Sequence, residues 1–271
     1  GELAASDYIT IALNALKGES DISMITATFM QIDTAIWAYV APKNREALRL
    51  AVANAAEALL DGAKPGSDNQ LQYARAFANN AVTPVQFDRL KAMLDGAVNG
   101  LTIDAELRWY IFLSGVKRGI FGTAEIAAEG DRDKTAHGKQ YVAYAHAAIP
   151  TREAKIAAFK SITTDDLSNT IHSYKCRGFN ENIHCEILEG FVDEYFDAIL
   201  KVWETKGYEI AETTATLTFP TWAISEATVT KAQHWLDVTG KDASIALRRS
   251  VTEGRDAMTR ALKARAVDAT R

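Results

Sequence analysis

Apolar residues recur at steps of three and four along almost the whole chain, a spacing that places them on one face of an α-helix. Leu48, Val52, Ala55 and Leu59 form one such stripe, and Ile187, Phe191, Tyr195, Ile199 and Val202 form a second. A third runs through Leu247, Val251, Met258 and Leu262, with Gly254 in its gap. Gly costs a helix interior about 1 kcal/mol against Ala, so Gly254 is expected where another element comes close. The period predicts an all-α chain, more than about 65% helical and without sheet.

The punctuation agrees. All five prolines, at positions 42, 65, 84, 150 and 220, fall between periodic segments. Thr83-Pro84 reads as an N-cap followed by Pro at the first helical position. Ser67 with Gln70 fits a reciprocal capping box, and Thr151 and Ser225 stand where further caps are needed. Breaks at intervals of roughly 15 to 20 residues imply about fourteen short antiparallel helices. Segment 209–219 is the weak point: Thr213 to Phe219 alternates and is Thr-rich, as strands are. Nothing nearby offers a pairing partner, so helix is the assignment. Many short helices without a strict repeat predict an irregular HEAT-like solenoid or superhelix, with a closed bundle as the alternative. Residues 1–271 are read as one helical domain.

Composition narrows the function. With 48% hydrophobic and 24% charged residues the chain can bury a core and is no disordered segment. A net charge of −5 argues against a nucleic-acid partner, whose recognition needs a concentrated basic footprint. No apolar run reaches the ~18 residues of a membrane span. The opening Gly-Glu-Leu-Ala lacks the basic and apolar regions of a signal peptide and an initiator Met, so the chain reads as a fragment of a longer protein. Two cysteines do not make a disulfide framework, and a cytoplasmic home is expected.

Four residues invite a metal: His172, Cys176, His184 and Cys185. His172 and Cys176 share a helix face at i, i+4, but adjacent His184 and Cys185 point about 100° apart on a helix. No closed tetrahedral zinc spacing results, so buried cysteines with polar histidines nearby are expected. A nucleophilic Cys176–His172 pair lacks a nameable third, orienting group. The carboxylate pairs Asp165-Asp166 and Asp193-Glu194 read as helix starts and solvated faces. From Arg248 to the end, seven Lys/Arg face three Asp/Glu. Arg248, Arg249 and Arg255 are there the candidates for contact with a peptide carboxylate, against the plainer reading of a terminal helix with a solvated basic face. HExxH, glycine-rich phosphate loops, GxSxG and CxxC are all missing.

Several stretches, in order and over nearly the whole chain, resemble the C-terminal helical domain of aminopeptidase N zinc peptidases of the actinobacterial type. They are Asp104-Ala105-Glu106-Leu107-Arg108-Trp109 with the Gly119-Ile120-Phe121-Gly122 turn, Ala124-Glu125-Ile126 through Gly138, Phe219-Pro220-Thr221-Trp222-Ala223, and Leu247 through Asp256 with the helix that follows. Cys176 and His184-Cys185 are not features of that family. The resemblance implies a parent whose catalytic domain carries the HExxH zinc site, where metal-bound water attacks the peptide carbonyl. This chain would then be the non-catalytic domain that caps the cavity and governs peptide access. Its partners would be the catalytic domain of the same polypeptide and the peptide, with zinc held in the parent and no cofactor here. The alternative is a free-standing helical scaffold that binds protein partners.

Overall fold

Helix initiation follows the local chemistry read from the sequence. In the computed structural model, which describes residues 3–271, Pro42 opens α3 (Pro42–Gly62) and Pro84 opens α5 (Pro84–Leu94). Thr83 caps α5 in a full capping box with Gln86. Ser67 caps α4 (Asp68–Asn80), Thr151 caps α9 (Arg152–Thr164) and Ser225 caps α14 (Glu226–Asp237), each accepting from a backbone N–H in the first turn. The Ser67 box is half of what its spacing predicts. Gln70 Oε1 accepts from Gly66 N at 2.8 Å rather than from Ser67 N, because Gln70 is buried and its Nε2 donates to Asn99 O at 2.9 Å.

The described residues form fifteen α-helices, one of them a single turn of four residues, with one π-helical and two 3₁₀ turns, and contain no strand. Helical turns of all three kinds make up 76% of the described residues. Its contacts gather it into two compact units, the residues up to Gly115 with Lys263–Arg271, and Val116–Leu262.

The first unit holds α1 (Ala5–Leu16), α2 (Ile22–Thr34), α3, α4, α5 and most of α6 (Ala105–Val116). A π-helical turn, Ala35–Tyr39, continues α2. Helix α3 packs on α4, α4 on α2, and α1 on both α2 and α3. The buried line of α3 is Val52, Ala53, Ala56 and Leu60, about one position round from the predicted stripe, since α4 rather than its own composition selects the face. A buried carboxylate locks this unit. Asp268 accepts from Ser6 N at 2.7 Å, Ser6 Oγ at 2.6 Å, Ala41 N at 2.8 Å and Asn44 Nδ2 at 3.0 Å. The starts of α1 and α3 thus converge on one anion, which is what orphan helix-start N–H groups favour. Burial pushes the Asp268 carboxyl up, but these hydrogen bonds outweigh it and hold it below the usual range.

The second unit holds α7 (Thr123–Arg132), α8 (Ala136–Ala148), α9, α10 (Asn169–Phe179), α11 (Cys185–Leu188), α12 (Val192–Thr205), α13 (Tyr208–Leu217), α14 and most of α15 (Ile245–Asp268). Its strongest packing joins α10 to α8, the next helix but one, with α9 against both and α13 against α10. Gly178 makes that approach: a Cβ there would lie 2.2 Å from Tyr144 O. Gly254 has the role its position suggested, since a Cβ would lie 2.5 Å from the Phe219 ring.

The Thr-rich segment is helical, as α13. Its threonines answer the backbone locally: Thr214, Thr216 and Thr218 hydroxyls donate to Ile210 O, Glu212 O and Thr214 O at 2.7 to 2.8 Å. Tyr195 Oη also donates to Ala215 O at 2.8 Å.

Two apolar clusters fill this unit. One gathers Tyr195, Phe196, Ile199, Phe219, Trp235, Leu247, Val251 and Met258, so the second and third predicted stripes meet there. The other sets Phe179 edge-to-face with Phe191 and Trp222 at 5.3 and 5.8 Å, with Cys176 and Ile162 in the same cluster.

Candidate functional site

The four metal-like residues separate into three environments. His172 and Cys176 lie one turn apart on α10, both fully buried, with Sγ 3.8 Å from the ring nitrogens. Because the Thr214 hydroxyl donates to Ile210 O, it can only accept from His172 Nε2 at 3.1 Å, and Ile162 O accepts from the same nitrogen at 3.3 Å. Nε2 therefore carries the proton. Burial lowers the His172 pKa and raises that of the Cys176 thiol to about 12, so the pair is neutral and the sulfur is a poor nucleophile.

His184, in a 3₁₀ turn at Asn182–His184, donates from Nε2 to Lys117 O at 2.6 Å. Burial and the Lys155 charge lower its pKa to about 4. Cys185 opens α11 beside it and faces a separate cleft. Among the described residues, no three His, Cys, Asp or Glu side chains converge as a ligand set.

A group that sequence reading missed lies close to His184. Lys155 is fully buried on α9, and its ammonium donates to Ala147 O at 2.7 Å, Gly178 O at 2.9 Å and Phe179 O at 3.0 Å. These carbonyls belong to the last turns of α8 and α10, where the helix dipoles are negative. Glu181 follows α10, accepts from Tyr144 Oη, and pairs with Lys117 at 3.5 Å. Burial pushes the Glu181 carboxyl up, but Lys117, Tyr144, His184 and Lys155 together hold it below its ordinary value. Burial lowers the Lys155 pKa to about 7, partly offset by Glu181. The signal for Lys155 was present: with Ala158 and Ile162 it occupies the apolar stripe of α9 at i, i+3, i+7.

Two surface concavities stand out, one in each unit. In the second unit a cleft of about 360 Å³ runs between α11 with the start of α12 and the segment leading into α14. Val192, Trp222, Ala223, Ile224 and Ala227 line it with apolar surface, while Glu186, Glu189 and Asp193 supply carboxylates and Lys231 one ammonium. Lys231 is paired with Asp193. Glu186 and Glu189 are exposed, and among the described residues no cation forms an ion pair with them. In the first unit an apolar groove of about 570 Å³ is lined by Leu3, Tyr8, Met30, Thr34, Tyr39 and Ala264. Met30 there is 67% and Leu3 53% exposed.

The arginines of the basic end are largely engaged by neighbouring groups of the protein. Arg248 donates to Leu236 O and Gly240 O, each at 2.7 Å, and so closes the end of α14. Arg255 pairs with Asp256 at 2.7 Å and donates to Gln233. Arg249 is exposed and meets Glu253 one turn on at 2.7 Å.

A long run of short capped helices, with no strand among the described residues, is the architecture of an all-helical domain. A model of the ERAP1-like C-terminal domain family matches residues 1–260, and the chain belongs to that family. It is also 40% identical to an aminopeptidase N of Streptomyces lividans over 271 residues, which is 99% of this chain and 31% of that protein. The chain thus spans less than a third of that relative's length. No helix among the described residues is long and apolar enough to cross a membrane.

Proposed function

We propose that this chain is the non-catalytic C-terminal domain of a zinc-dependent aminopeptidase, walling the active-site cavity and restricting which peptides enter. The observation that carries the proposal is the 40% identity to aminopeptidase N over 99% of the chain, together with membership of a family described as a C-terminal domain. In this reading the parent's catalytic domain supplies zinc and the water that attacks the amide, and this domain contributes enclosure. A wall excludes water and orients the peptide, and helices stacked in HEAT-like pairs suit a wall better than a reaction centre. The exposed apolar groove at Leu3, Tyr8, Met30 and Tyr39 fits packing against the catalytic part of the same polypeptide, since large apolar surface of this kind is seldom left uncovered. Arg249, whose guanidinium is exposed, is the member of the basic end best placed to meet a peptide carboxylate. Two free cysteines suit a reducing compartment, and we place the parent in the cytoplasm.

The experiment is kinetic. The longer protein and a version lacking this domain are assayed on a short aminoacyl reporter and on peptides of increasing length. The expected result is a changed dependence on peptide length, with reporter and long peptides affected unequally. A folded deletion variant with unchanged kinetics at every length overturns the proposal.

A further inference from the structure

We infer that the cleft between α11 and α14 binds a peptide segment through the side chain of an arginine. The cleft has an apolar base and an uneven charge: three carboxylates, Glu186, Glu189 and Asp193, face one ammonium, Lys231. Lys231 is occupied by Asp193 across the cleft, so the two carboxylates without a cation are Glu186 and Glu189. Arg152 lies over the Phe191 ring at 5.9 Å, its guanidinium beside Gly190, and it makes no ion pair with either carboxylate. Ser225, at the start of α14, turns its hydroxyl to Thr228 N at 3.1 Å and so satisfies a helix-start donor that would otherwise attract an anion.

The occupant must therefore bring positive charge on an apolar stem. Val192, Ile224 and Ala227 suit methylene groups, and the largely buried Trp222 adds to the apolar lining. Arginine fits better than lysine, because a planar guanidinium can engage carboxylates with several donors at once while an ammonium acts as a point charge. A volume of about 360 Å³ accommodates one such side chain and the backbone on either side of it, so the ligand is an extended peptide segment rather than a folded surface. This inference does not rest on the peptidase reading: the 271-residue chain should bind the peptide whether or not its parent hydrolyses one.

The test is fluorescence anisotropy with a labelled pentapeptide, blocked at both ends, that carries one arginine among alanines. Its twin carries citrulline, which has the same shape without the charge. The arginine peptide should bind at least about tenfold more tightly than the citrulline peptide, the scale of a lost charge-assisted contact. The double variant E186Q/E189Q should lose about tenfold for the arginine peptide. The control E46Q/D68N removes two exposed carboxylates from the other unit and should stay within about twofold. All three proteins are compared by circular dichroism, and the surface positions of the four residues make unfolding unexpected. Equal binding of the two peptides, equal loss in both double variants, or no saturable binding of the arginine peptide would each overturn the inference.

Discussion

Lys155 shows how much one buried charge decides. Its ammonium stitches the last turns of α8 and α10 to α9 through three carbonyls. Burial nonetheless brings its pKa to about 7, below the 10.5 of an exposed lysine. Between those two values the unfolded chain binds a proton that the folded chain does not, so this group's contribution to stability grows as pH rises through the window and is lost as pH falls toward 7. Comparing urea unfolding of the wild type and Lys155→Met at pH 7 and pH 9, the wild type should gain about 2 kcal/mol relative to the variant. Parallel pH profiles would show that Lys155 stays charged throughout. The stripe position of Lys155 is visible in the sequence, but which carbonyls receive it depends on where α8 and α10 end. The four metal-like residues part for a related reason: His172 turns to Thr214, forty-two residues away in sequence, and His184 to Lys117, at a separation of sixty-seven.

At the scale of elements, caps and prolines were legible because they act within four residues of themselves. Thr83, Thr151 and Ser225 do what their positions predict. The Thr-rich α13 was the hardest to read, since alternation mimics a strand while its hydroxyls close locally onto i−4 carbonyls. Helix-on-helix packing gives a sharper prediction. Gly178→Ala places a methyl 2.2 Å from Tyr144 O, where α8 and α10 touch most closely, and should cost about 3 kcal/mol, the upper end of overpacking. Gly62→Ala, in α3 with nothing within 4 Å, should instead stabilise by about 0.5 to 1 kcal/mol through helix propensity. Thermal unfolding of both variants checks the contrast, and similar shifts in Tm would contradict the α8–α10 packing.

For the whole molecule, the expectation is inactivity of the isolated chain. It carries no HExxH, so it should neither hydrolyse aminoacyl amides nor retain stoichiometric zinc after dialysis. Metal analysis and a reporter assay check this, and metal-dependent turnover by the purified chain would refute it. The sequence by itself determined the helical class, most helix starts and the membership of a peptidase-associated family, because period, caps and motif order are local or linear properties. That HExxH does not occur in these 271 residues is likewise read without coordinates. Tertiary structure alone decided that α3 buries Val52, Ala53, Ala56 and Leu60, that the contacts form two units, that Lys155 and Asp268 are interior charges, and that Glu186 and Glu189 border one apolar cleft. Each of these depends on which neighbour a helix face meets, and a helix with a broad apolar face leaves that choice to its partner's shape.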